Sequence, residues 1–136
     1  MKQPTSRFDS VMDVVLGSAA SGAGGNTTVT LTVPKGEIWE VLHGLAYHDD
    51  AARSAQYSMS DGTDTSVLGN AISIGTSVPI FLFGSYDGTN YLSAWAGAPV
   101  LRYGQSITIS VLAMAASKNV YLKLVVNKLR GAELWA

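Results

Sequence analysis

The stretch that most limits what this chain can become is Glu37 to Tyr47, EIWEVLHGLAY, which follows the turn Pro34-Lys35-Gly36. Proline fixes φ and glycine accepts positive φ without steric cost, so the turn is written into the residues just ahead of the strand. The run is rich in β-branched and aromatic residues, and it is apolar on both sides. Simple alternation puts Trp39, Val41, His43, Leu45 and Tyr47 on one side and Ile38, Leu42 and Ala46 on the other, with Glu40 and Gly44 between them. Such a strand is either central in a sandwich or covered by another subunit.

The rest of the chain reads as strands that stack on this one. Thr27 to Val33 alternates, with Val29, Leu31 and Val33 facing one way and Thr28, Thr30 and Thr32 the other. Ser54 to Ser60 repeats the pattern through Ala55, Tyr57 and Met59, and Asp61-Gly62 after it is a hairpin signal. Thr65 to Ile74 is a weaker strand cut by Gly69-Asn70, and Pro79 assigns Val78 to Phe83 to an edge or a strand start. After the turn cluster Ser85 to Asn90 comes a brief strand at Tyr91 to Trp95, and Pro99 to Tyr103 leads to a turn at Gly104. Gln105 to Ala113 points Ile107, Ile109, Val111 and Ala113 inward, and Val120 to Lys128 points Val120, Leu122, Leu124 and Val126 inward. Turn signals recur about every 8–12 residues and no amphipathic helix competes, which predicts an all-β antiparallel β-sandwich. A jelly roll of about eight strands is the arrangement favoured, because two facing sheets dispose of most edges. The pattern leaves strand order open.

Ser18 to Asn26, SAASGAGGN, has the small, flexible composition of a linker. It divides the chain into residues 1–26, an N-terminal arm with its linker, and residues 27–136, the sandwich. The apolar residues of the arm are Phe8, Val11, Met12, Val14, Val15 and Leu16, and they fit helical and strand spacing about equally. A first strand paired back onto the sheet is the other reading. Asp9 and Asp13 interrupt the segment, and Val11 to Leu16 is shorter than the about 7–15 apolar residues of a secretory leader. No run approaches the ~20 apolar residues of a membrane span, so no membrane partner is expected.

Composition narrows the function classes. Charged residues are 14 % of the 136, below the roughly 25 % of soluble domains, which suggests surface hidden in an assembly. A net charge of −1 with nine scattered basic residues gives no nucleic-acid footprint. The absence of cysteine removes disulfides, thiol nucleophiles and zinc-thiolate sites. The two histidines, His43 and His48, fall on opposite faces of a strand and cannot share a metal. His43 reads as packed and His48 as a solvated loop residue. Asp49-Asp50 and Asp61/Asp64 sit in turn contexts where aspartate bonds nearby backbone, and no G-x-S-x-G elbow occurs. No cofactor, metal, small-molecule substrate or catalytic residue is expected. Trp39, Trp95, Tyr86, Tyr91 and Tyr103 are candidates for stacking on sugar rings.

Pro34, Gly36, Trp39, Val41 and Leu42 form the pattern P-x-G-x-x-W-x-V-L, and Leu101, Gly104, Ile107 and Ile109 form L-x-x-G-x-x-I-x-I. Together with the hairpin at Asp61-Gly62 and the VPIFLFG run, this resembles small β-sandwich structural proteins of tailed bacteriophages. The likeness covers roughly residues 27–126. By size it implies a capsid decoration, or cement, protein: a homotrimer on the virion surface that binds the major capsid protein and braces the shell. On that reading Phe8, Val11, Met12, Val14, Val15 and Leu16 form the capsid-binding arm. Trp39, His43, Tyr47, Leu134 and Trp135 form the subunit interface. The alternative is a carbohydrate- or receptor-binding module of a phage head or tail fibre, with contacts from the loops Ser85 to Asn90 and His48 to Arg53.

Overall fold

The computed structural model describes residues 9–77, 80–82 and 99–130, and among them every regular element is a β-strand. The strands are β1 (Asp9–Ala20), β2 (Gly25–Thr32), β3 (Glu37–His48), β4 (Arg53–Ser60), β5 (Thr65–Ile74), β6 (Ile80–Leu82), β7 (Val100–Leu101), β8 (Ser106–Met114) and β9 (Asn119–Arg130). One sheet runs β1-β9-β3-β6, with β7 also paired to β3, and the other runs β2-β8-β4-β5. All pairings are antiparallel, and four ladders, β1:β9, β2:β8, β3:β6 and β4:β5, match early strands with late ones. A long double ribbon folded across two sheets in this way is a jelly roll.

The expected strands from Thr27 onward that fall on described residues are present with small shifts of boundary. Ala113, expected inward, is instead exposed at a φ of 54°, where the strand changes face and Met114 takes the buried place. The brief strand at Tyr91 to Trp95, the turn cluster Ser85 to Asn90, and Pro79 lie outside the described residues. The arm is a correction. Asp9–Ala20 is the first edge of the jelly roll, in unbroken register with β9 from Asp9↔Arg130 to Ala20↔Asn119. Every residue so placed exchanges a ladder with β9, which a detached arm would have to find elsewhere.

The core lies between the sheets. Val41, Ala46, Val120, Leu122, Leu124 and Val126 meet Val29, Leu31, Ala55, Tyr57, Ile107, Ile109 and Val111, all nearly or fully buried. Gly17 on β1 sits so close to β2 that a Cβ there would lie 2.8 Å from both Leu31 Cδ2 and Val29 Cγ1.

A bulge reorganises β3. Val41 pairs with Val126 and His43 with the adjacent Val125, so Leu42 is the extra residue and the strand changes face there. Before the bulge Trp39 and Val41 face the core; after it Gly44, Ala46 and His48 do, while His43, Leu45 and Tyr47 face out. Trp39 is therefore a core residue, 3 % exposed, and no subunit contact. Its Nε1 donates to Glu37 Oε1 at 2.9 Å, and Lys128 Nζ lies 5.9 Å from its ring centroid. The same ammonium reaches Asp13 Oδ2 at 3.0 Å and Glu37 Oε1 at 3.8 Å, joining β1, β9 and β3 at one end of the sheet.

His48 is also the reverse of the expectation, being wholly buried. Ile74 O, an acceptor only, lies 3.0 Å from Nε2, so that nitrogen carries the proton. Nδ1 accepts the Asp50 N–H at 3.0 Å. Asp50 then accepts from Ala115 N at 2.8 Å, Arg53 Nε at 2.9 Å and Ala51 N at 2.7 Å. The Ala115 amide first, and Arg53 second, hold this carboxyl well below the usual carboxylate range.

Candidate recognition surface

Sequence position dictates what the outer face of the β1-β9-β3 sheet carries. On β9 the inward set Val120, Leu122, Leu124 and Val126 leaves Tyr121, Lys123, Val125 and Asn127 facing out. On β1, Gly17 against Val29 and Leu31 fixes the inward parity, so Met12, Val14, Leu16 and Ser18 face out. The bulge in β3 sends His43, Leu45 and Tyr47 to the same side. Register then assembles rows: Val14–Val125–His43, Leu16–Lys123–Leu45 and Ser18–Tyr121–Tyr47.

The last row is the most distinctive. The rings of Tyr47 and Tyr121 stack at a centroid distance of 4.7 Å and an interplanar angle of 19°. That separation equals the spacing of neighbouring strands, about 4.7–4.9 Å, so the two rings stand out from the sheet side by side. The other face of Tyr121 turns toward β1, where its register partner is the small Ser18. The result is an open hollow of about 390 Å³ lined by Leu16, Gly17, Ser18, Tyr47, Tyr121 and Lys123. It combines an aromatic wall, an aliphatic rim and donors from a hydroxyl and an ammonium. That mixture suits a flat, hydroxylated ring: apolar C–H faces stack and the edge groups take hydrogen bonds.

The acidic sites are structural. Asp61 Oδ1 accepts the Asp64 N–H at 2.7 Å and the Thr63 N–H at 2.8 Å, and these bonds, Asp64 first, lower its pKa. Asp49 accepts from the backbone and then the side chain of Asn119, at 2.7 and 3.2 Å, and is lowered likewise. Among the described residues no three His, Cys, Asp or Glu side chains are grouped to hold a metal ion. His43 and His48 lie on opposite faces.

Of the residues singled out from sequence, Met12, Val14 and Leu16 share the outer face with His43 and Tyr47. Val15 packs on the core, and Val11 follows its inward parity at the open end of the sandwich, 50 % exposed. Trp39 is in the core. Phe8, Leu134, Trp135, Tyr86, Tyr91 and Trp95 lie outside the described residues, and Tyr103, 65 % exposed, sits in the turn before β8, away from the hollow's lining. Tyr121, Lys123 and Ser18 were missed. The alternation of β9 contains the signal, since whatever interleaves an inward apolar set must face out.

No family model and no curated protein matches this sequence. Among solved structures, the chain is similar to the N-terminal cellulose-binding domain of the Cellulomonas fimi β-1,4-glucanase C at 15 % identity and a TM-score of 0.38, covering 86 % of this chain and 80 % of that one. It is similar to a CBM4 structure at 13 % and 0.37, covering 90 % and 89 %. It also resembles part of the agarase AgWH50C at 13 % and 0.43, covering 95 % of this chain but 23 % of the agarase. Likeness at this level carries no residue-by-residue correspondence and assigns no role.

Proposed function

We propose that this chain is a non-catalytic binding module that recognises carbohydrate on the outer face of its β1-β9-β3 sheet. The observation behind this reading is the Tyr47–Tyr121 pair beside the open hollow over Ser18. The support is this surface and not the names of the similar sandwiches. A pyranose ring lies against the free face of Tyr121, its hydroxyls reaching Ser18 and Lys123, while Tyr47 braces Tyr121 from behind. Affinity electrophoresis through gels containing soluble polysaccharides tests it. Retardation by at least one polysaccharide is expected, and Tyr121→Ala should weaken it roughly tenfold, about 1.4 kcal/mol, without changing the circular dichroism spectrum. Tyr103→Ala should leave it unchanged. No retardation across neutral and charged polysaccharides would overturn the reading.

A second reading, decoration of a viral shell through its major capsid protein, has one observation on its side. Met12, Val14 and Leu16, 69 %, 49 % and 65 % exposed, form an apolar strip of the kind that marks protein contact. Co-sedimentation with expanded phage shells decides between the two.

A further inference from the structure

We infer that two copies of this chain pair edge to edge through β1, antiparallel about a two-fold axis at Val14, to make one continuous sheet. The inference is independent of the carbohydrate reading. Among the described residues, β1 ends its sheet and no strand pairs with its other edge. The backbone parity is fixed at the turn, where Ser21 N donates to Lys118 O, so odd-numbered residues bond toward β9. Even-numbered residues therefore turn their N–H and C=O groups to the open edge, and Met12, Val14 and Leu16 are even.

An edge strand of twelve residues is a template for another strand, and folded proteins blunt such edges with Lys, Pro, bulges or inward charge. Asp9–Ala20 contains neither Lys nor Pro, and its ladder with β9 has no bulge. Besides Asp9 at its start, its protecting charge is Asp13, whose Oδ1 takes the Val14 N–H at 2.8 Å while Oδ2 is held by Lys128. The carboxylate can give up the amide and keep its ammonium partner.

Self-complementarity selects the occupant. Of all two-fold registers, only the one centred on Val14 sets each of the outward-facing apolar residues Met12, Val14 and Leu16 opposite another: Val14 against Val14, and Met12 of one copy against Leu16 of the other. In that register the even-numbered residues meet as hydrogen-bonded pairs, with Cα atoms about 5.5 Å apart. The contact is isologous and closes at two copies, so it predicts a dimer where the sequence resemblance implied a trimer. A seam of this kind lies at the low end of interface sizes, below about 1,200 Å² in total, so the dimer is reversible.

Sedimentation equilibrium of the full chain should show a concentration-dependent dimer, and Val14→Lys should return it to monomer with an unchanged circular dichroism spectrum. The cysteine-free sequence allows a geometric check. Val14→Cys should form a disulfide-linked dimer on mild oxidation. Leu16→Cys alone should not, whereas an equimolar mixture of Met12→Cys and Leu16→Cys chains should. A wild-type monomer at the solubility limit would overturn the inference, and so would a dimer in which Val14→Cys fails to cross-link or Leu16→Cys cross-links with itself.

Discussion

Gly17 is the position on β1 where any side chain would meet the core. A Cβ there would stand 2.8 Å from a γ-carbon of Val29, which is β-branched and cannot rotate aside cheaply. Gly17→Ala is therefore expected to lower stability by about 1–3 kcal/mol, read from chemical denaturation. An unchanged midpoint would mean that β1 can lift from β2 at no cost. Asp50 sets an acid limit. Its carboxyl titrates far lower in the folded chain than its ordinary 3.8, so unfolding takes up a proton in the window below that value. The stability it contributes is complete above about pH 4 and is lost as pH falls further. Asp50→Asn should melt at a lower temperature than the parent at neutral pH, with the gap closing on acidification; melting curves that stay parallel would sink this account.

The element that organises the chain, β3, also shows where reading the sequence stops. Its existence, its length and the turn before it follow from Pro34, Gly36 and the apolar run, and the hairpin at Asp61-Gly62 is equally plain. The face assignment was not legible, because alternation holds only until a residue is inserted. Leu42 looks like any strand leucine, yet as the bulged residue it turns Trp39 inward and Tyr47 outward. That one event split the expected interface into a core residue and an outward-facing one. β1 was ambiguous for a different reason. Its inward positions include Asp13, Gly17 and Ala19, a charge and two small residues, so the period of two is muted. What qualifies Asp13 for that place is Lys128, and what qualifies Gly17 is β2, both remote in sequence.

At the scale of the whole molecule, β1 is half of the ladder that closes the ribbon. Removing residues 1–20 would strip β9 of one of its two partners and uncover Leu122 and Leu124, so the shortened chain should lose its cooperative thermal transition. A truncated chain that melted like the parent would show that the sandwich closes without its first strand. The β1:β9 ladder has one more consequence, for the newly made chain. Asp9 waits for Arg130, so the outermost pair of the roll cannot form until nearly all other described strands have left the ribosome. Non-local pairings of this sort slow folding, and during the wait an apolar strand travels without its mate. The feature that closes the mature sandwich is thus the one that exposes the nascent chain longest to mispairing and to chaperones.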